Sequence, residues 1–107
     1  MLSSLQESAT GDPLRAIATR SLQIPCACMT PNTGRMEVLK EQVDLLRPDL
    51  VIDLVLQSCH TFNVEAVKVE SLVRNGLGTN YLKIVTDFSS QDIGQLKTRI
   101  GAALEMC

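Results

Sequence analysis

Tryptophan is absent from this 107-residue chain, and one Tyr and two Phe are its only aromatic residues. So little stacking surface speaks against a platform for bases or sugars. Positive charge is scarce too: ten Lys and Arg against twelve Asp and Glu leave a net charge of −2, with no basic run. Nucleic acid and anionic membranes, which are held by clustered basic residues, are therefore not expected partners. No apolar run approaches the roughly 20 residues that span a bilayer. The first twelve residues lack the basic-then-apolar order of a secretion signal. There is no G-x-G-x-x-G, no P-loop and only one histidine, His60, so neither nucleotide binding by this chain nor a paired-histidine metal site is supported. A cytoplasmic protein is expected.

What the chain does have is cysteine. Cys26, Cys28, Cys59 and Cys107 are better read, in a reducing compartment, as thiols or metal ligands than as disulfides. The remaining composition, 45% hydrophobic and 21% charged, is that of an ordinary globular domain. A chain of this length holds at most one such domain with a modest core.

Residues 1–11 are Ser-rich without an apolar period and read as a leader or linker; residues 12–107 read as the folded domain. Asp12-Pro13 is an N-cap followed by proline at the first helical position. The helix should run through Leu14, Ile17, Ala18 and Leu22, one buried stripe, and end before Pro25. Residues 24–29 are an edge strand or an extended loop, and residues 30–34 are turn chemistry. A second helix is expected over 35–46, with Met36, Leu39, Val43 and Leu46 on one face and Arg47-Pro48 as its stop. Residues 50–56, nearly all Leu, Val and Ile, read as a strand buried on both faces, as parallel sheets require. Asn63 should cap a third helix over 64–74. A second strand is expected over 81–86, and a last helix capped by Ser89 or Ser90, with Ser89 and Asp92 as a capping box. Its seam is Ile93, Leu96, Ile100, Ala103 and Leu104.

This alternation predicts an α/β fold: a small Rossmann-like three-layer unit, with a short parallel sheet of two or three strands flanked by helices. A sheet so narrow suggests packing against a further domain.

In such folds ligands gather at the carboxyl ends of strands. Cys59-His60 stands at one such end and Asp87 to Asp92 at the other. Cys26-Ala27-Cys28 lies in the loop upstream. Thiolates are the ligands of iron–sulfur clusters, which makes such a site the first idea to test. C-x-C is nevertheless not a standard zinc or ferredoxin spacing, and on spacing alone buried small hydrophobes account for these cysteines better. A Cys26–Cys28 dithiol bridge would be small and strained. Cys107, the final residue, reads as frayed. His60 is either a helix-start residue bonded to backbone or a hydrogen-bond donor to a cluster sulfur or substrate. The Asp87 to Asp92 segment is either simple capping or a ligand-facing loop. Gly94, unfavourable in a first helical turn, would be explained by close approach to its backbone.

Three segments carry a family resemblance. Asp92-Ile93-Gly94-Gln95-Leu96-Lys97-Thr98-Arg99-Ile100, running into Ala103-Leu104-Glu105-Met106, resembles the closing helix of the 2-hydroxyacyl-CoA dehydratase family (2-hydroxyglutaryl-CoA dehydratase D-component). The strand leading to Cys59, with His60-Thr61-Phe62-Asn63-Val64-Glu65, resembles that family's last cluster-cysteine segment. Ile24-Pro25-Cys26-Ala27-Cys28-Met29-Thr30-Pro31-Asn32 resembles a variant in its double-cubane cluster branch.

The resemblance implies a cytosolic, oxygen-sensitive subunit that holds a 4Fe–4S cluster or a double cubane. Cys59 is then the first candidate ligand, Cys26 and Cys28 follow, and His60 stands beside the cluster. It implies loss of water from an (R)-2-hydroxyacyl-CoA, after one electron from a separate ATP-dependent activator iron–sulfur protein opens a radical route. The double-cubane branch implies ATP-dependent reduction of small molecules instead. Family subunits are several times longer, so the resemblance further implies a carboxyl-terminal piece or split subunit that works with an amino-terminal lobe or sister subunit. The non-enzymatic reading is an α/β scaffold with unmetallated cysteines.

Overall fold

The computed structural model describes residues 11–107, so the leader expected over residues 1–11 lies, except for Gly11, outside the described residues. The chain divides into two compact units, one through Leu45 and one from Leu46 to Cys107.

In the first unit, α1 spans Pro13–Leu22. Asp12 starts it as expected, its Oδ1 accepting from the N–H groups of Leu14 at 3.1 Å and Arg15 at 3.2 Å. These satisfy two of the four donors that a helix start leaves open. The expected stripe is not buried, however. Leu14, Ile17 and Leu22 are 77%, 57% and 87% exposed, and Ala16 is the buried residue of the helix. Apolar spacing sets a face; burial needs a neighbouring surface. Residues 24–29 form turns and no strand, closed by Met29 N–H to Cys26 C=O at 3.0 Å. α2 spans Thr33–Leu46, starting two residues before the expected position, with Val43 buried and Leu46 exposed. It ends at Arg47 in the left-handed region, φ 45°, ahead of Pro48.

The second unit holds β1 (Leu50–Leu56), α3 (His60–Ser71), β2 (Asn80–Thr86) and α4 (Ile93–Glu105). The strands pair in parallel from Leu50↔Asn80 to Leu56↔Thr86, so the described residues form a two-stranded parallel sheet flanked by helices. Its core is Val55, Val73 and Ile84, each at most 2% exposed, with Ala66, Val69 and Tyr81. A buried hydrogen bond ties the layers together: Tyr81 Oη donates to Asp53 Oδ2 at 2.8 Å and lies 3.4 Å from the Ala66 carbonyl of α3. After α3 a π turn, Leu72–Gly76, closes with Leu77 N–H to Leu72 C=O at 2.9 Å. Gly78, at φ 65°, supplies the left-handed residue that carries the chain into β2.

β1 departs from the reading of a strand buried on both faces. Asp53 and Val55 are buried on the α3 side, but Ile52, Leu54 and Leu56 are 43%, 60% and 41% exposed on the other. Strand side chains alternate, and α4 packs against β2. The α4 seam is likewise only partly covered: no residue of that helix is buried, and Leu104 is 59% exposed.

Candidate functional site

Backbone geometry at the carboxyl edge of the sheet positions Cys59. β1 ends at Leu56, and the next N–H, from Gln57, donates to Thr86 C=O at 2.7 Å. This holds the ends of the two strands side by side. Ser58 turns the chain with φ 67°, and Cys59 N–H returns to Leu56 C=O at 3.0 Å.

α3 then starts at His60, four residues earlier than read from the sequence, with Cys59 as its N-cap. The expected cap, Asn63, is already inside the helix: its N–H donates to Cys59 C=O at 3.1 Å, and its side-chain oxygen accepts from Lys83 Nζ on β2. The capping position therefore belongs to a thiol that makes no capping bond. The half-buried Cys59 Sγ lies 3.7 Å from Thr61 Oγ1, and His60 is exposed beside it.

The segment after β2 shares this edge. Asp87 Oδ1 accepts from Ser89 N–H at 2.7 Å. The hydrogen bonds of Ser89, hydroxyl first and N–H second, hold the Asp87 carboxyl below the usual carboxylate range. Ser89 Oγ accepts from Gln91 N–H at 3.5 Å, so Ser89 shapes a turn and does not cap α4. Asp92 is the N-cap, again without a side-chain capping bond. Its Oδ2 accepts from Thr86 Oγ1 at 2.7 Å, while its Oδ1 is buried with no hydrogen-bond partner. The pull of Thr86 on this carboxylate replaces the expected Ser89–Asp92 capping box. A Cβ at Gly94 would meet nothing within 4 Å, so no close approach accounts for that glycine. Phe88, 94% exposed, projects from the same segment.

Cys26 and Cys28 belong to the first unit. One turn carries both, with Ala27 buried between two exposed thiols. Cys26 hydrogen-bonds to Cys28, and repulsion between the two thiolates adds to that effect. Together they push the Cys28 thiol above the usual cysteine range.

Cys107 is held and not frayed. Its Sγ donates toward Ala103 C=O at 3.2 Å and Asp49 C=O at 3.5 Å, and Asn80 Nδ2 lies 3.4 Å away. Asp49 and Asn80 mark the amino edge of the sheet. Six strand steps of about 3.3 Å put that edge roughly 20 Å from Cys59, so these two cysteines do not share a ligand.

Ser58 and Thr61 are the features that sequence reasoning missed as parts of this edge; Asp92 was placed there, but its bond from Thr86 was not foreseen. A serine in the left-handed region gives no signal in sequence.

These features define a small α/β unit with a half-buried thiol at the carboxyl edge of a parallel sheet. The sequence places it more narrowly. Residues 2–107 match the family described as 2-hydroxyglutaryl-CoA dehydratase, D-component, and the chain belongs to that family. It is 41% identical over 97 residues to an Escherichia coli (strain K12) protein named "Putative dehydratase subunit YjiM", a match covering 91% of this chain and 25% of that protein. The chain thus spans about a quarter of the length of the curated relative it matches. Among the described residues, no helix is long and apolar enough to cross a membrane.

Thiol donors suit iron–sulfur ligation in kind. Among the described residues, however, no three His, Cys, Asp or Glu side chains gather into a metal-holding group, so the donor type fits a cluster and the gathered number does not complete one.

Proposed function

We propose that this chain is the thiol-bearing part of a 2-hydroxyacyl-CoA dehydratase-type protein, with Cys59 as a ligand of a 4Fe–4S cluster and Cys26 and Cys28 as further ligands. The observation that carries this reading is the place of Cys59: a half-buried thiol on the carboxyl edge of the sheet, at the N-cap of α3, with its side chain free of capping duty. When bound, the cluster supplies one-electron chemistry, by which the complete protein removes water from an (R)-2-hydroxyacyl-CoA.

The chain's own residues have simpler tasks. The Cys59 sulfur stands at the positive end of the α3 dipole, which favours negative charge held there, with the Thr61 hydroxyl beside it. His60, exposed at the first helical position, is available to orient substrate or to donate to a sulfur. The Thr86–Asp92 and Asp87–Ser89 bonds hold the facing segment in shape. The ligand set is completed by an amino-terminal lobe or sister subunit, and electrons come from an ATP-dependent activator iron–sulfur protein in the cytoplasm.

The adjacent Cys26 and Cys28 thiols favour a second reading, a double-cubane cluster in an ATP-dependent reductase of small molecules. Anaerobic reconstitution with iron and sulfide, read by iron analysis and EPR, tests the assignment. Cys59→Ser should lose the cluster signal while its circular dichroism stays unchanged. Equal iron uptake by Cys59→Ser overturns the reading, and so does no uptake by the folded parent chain when the remaining three-quarters of the E. coli relative is supplied with it; the latter leaves an unmetallated scaffold. Iron content near eight per chain, lost in Cys26→Ser and Cys28→Ser, marks the double cubane.

A further inference from the structure

The two edges of the sheet are treated differently. On β2, alternate residues point their backbone groups away from β1: Thr86 C=O faces β1 and accepts from Gln57, so Tyr81, Lys83 and Val85 face outward. The carbonyls of the first two are covered by arginine. Arg74 Nη2 donates to Tyr81 C=O at 2.9 Å, and Arg99 Nη2 donates to Lys83 C=O at 2.7 Å. Guanidinium groups on an edge strand block the addition of another strand.

On β1 the same alternation turns the backbone groups of Ile52 and Leu54 outward, with no such cover among the described residues. The side chains of Ile52, Leu54 and Leu56 are also exposed. One strand thus combines an open ladder edge with an uncharged apolar face. A two-stranded sheet is marginal by itself, and parallel strands belong to sheets covered on both faces.

We infer that the β1 edge is the docking site for a β-strand of the polypeptide that corresponds to the part of the matched relative outside this quarter. That strand makes β1 an interior strand and presents alternating apolar side chains against Ile52, Leu54 and Leu56. The inference rests on the dehydratase-subunit reading and names the surface that meets the rest of such a protein.

The test uses the iron-free 107-residue chain, so that it succeeds or fails independently of cluster binding. Its probe is the remaining three-quarters of the E. coli relative, produced as a separate polypeptide. Binding is measured by calorimetry and mapped by amide hydrogen exchange. The expected result is a complex in which the Ile52 and Leu54 amides exchange at least about tenfold more slowly, while those of Tyr81 and Lys83 do not change. Leu54→Lys should weaken binding by about tenfold or more, and Val85→Lys, an exposed site on β2, should not. Should Leu54→Lys fail to fold, the exchange map of the parent chain decides. Absence of binding by the folded chain, protection centred on β2, or slowed β1 exchange from self-association alone would each overturn the proposal.

Discussion

Replacing Tyr81 by Phe removes a single oxygen, and with it the Tyr81–Asp53 bond between the two strands. The tyrosine is 5% exposed and the aspartate 8%, so water does not readily take over the lost donation. A hydrogen bond to a carboxylate contributes about 1.5–3 kcal/mol, and burial at this depth favours the upper half of that range. Phe fills nearly the same volume, which keeps the cavity contribution small. The expected loss is therefore about 2–3 kcal/mol, and at roughly 4–8 °C per kcal/mol for a unit of this size, Tm should fall by about 8–24 °C. Urea and thermal unfolding of Tyr81→Phe, Asp53→Asn and the double variant form a cycle that isolates the pair, with an expected coupling of about 1 kcal/mol or more. A single-variant loss below about 0.5 kcal/mol, or strict additivity, would refute the idea that this bond fastens the narrow sheet.

Ser58→Gly should stabilise the chain by about 0.5–1 kcal/mol, because a left-handed non-glycine residue costs about 1–2 kcal/mol and glycine's greater chain entropy returns only part of it. Ser58→Val should destabilise it by more than 1 kcal/mol on the same grounds, and denaturant midpoints report both. Cys26→Ala removes the two largest causes of the raised Cys28 thiol, so the Cys28 thiolate fraction rises. Alkylation of Cys28 near pH 8 should then become faster by mass spectrometry, and an unchanged or slower rate would refute the coupling. Asp87 is depressed in the folded state, so its bonds to Ser89 stabilise the loop above the ordinary carboxylate range and are lost as pH falls through the lowered value. Ser89→Ala should move the Asp87 carboxyl resonance midpoint upward in an NMR titration, toward the ordinary value.

Elements specified by neighbouring residues were legible. Asp12-Pro13 starts α1, Arg47-Pro48 ends α2, and the Leu-Val-Ile run of 50–56 is β1. The element order and the parallel pairing follow from that alternation. Helix starts near a sheet edge were less legible. Asn63 is a good cap by type, yet the hydrogen bonds of Gln57 and Cys59 bring the chain into helical geometry at His60 first. Ser89 likewise has the capping residue type, but Thr86 binds Asp92 and Ser89 is drawn into the turn after Asp87.

The candidate site divides along the same line. That Cys59-His60 follows a strand and precedes a helix is visible in the order of residues, as is kinship with the dehydratase family. That the thiol occupies the N-cap with Thr61 beside it, that Cys107 sits at the opposite edge, and that two arginines cover β2 carbonyls while β1 has no such cover among the described residues all depend on contacts between distant parts of the chain. Sequence by itself determined where turns and caps could form and which segments were apolar enough to pair, because those depend on local sterics and side-chain chemistry. Tertiary structure alone decided which apolar faces are covered and which carbonyls are capped, because burial and hydrogen bonding between distant residues depend on which surfaces folding brings together.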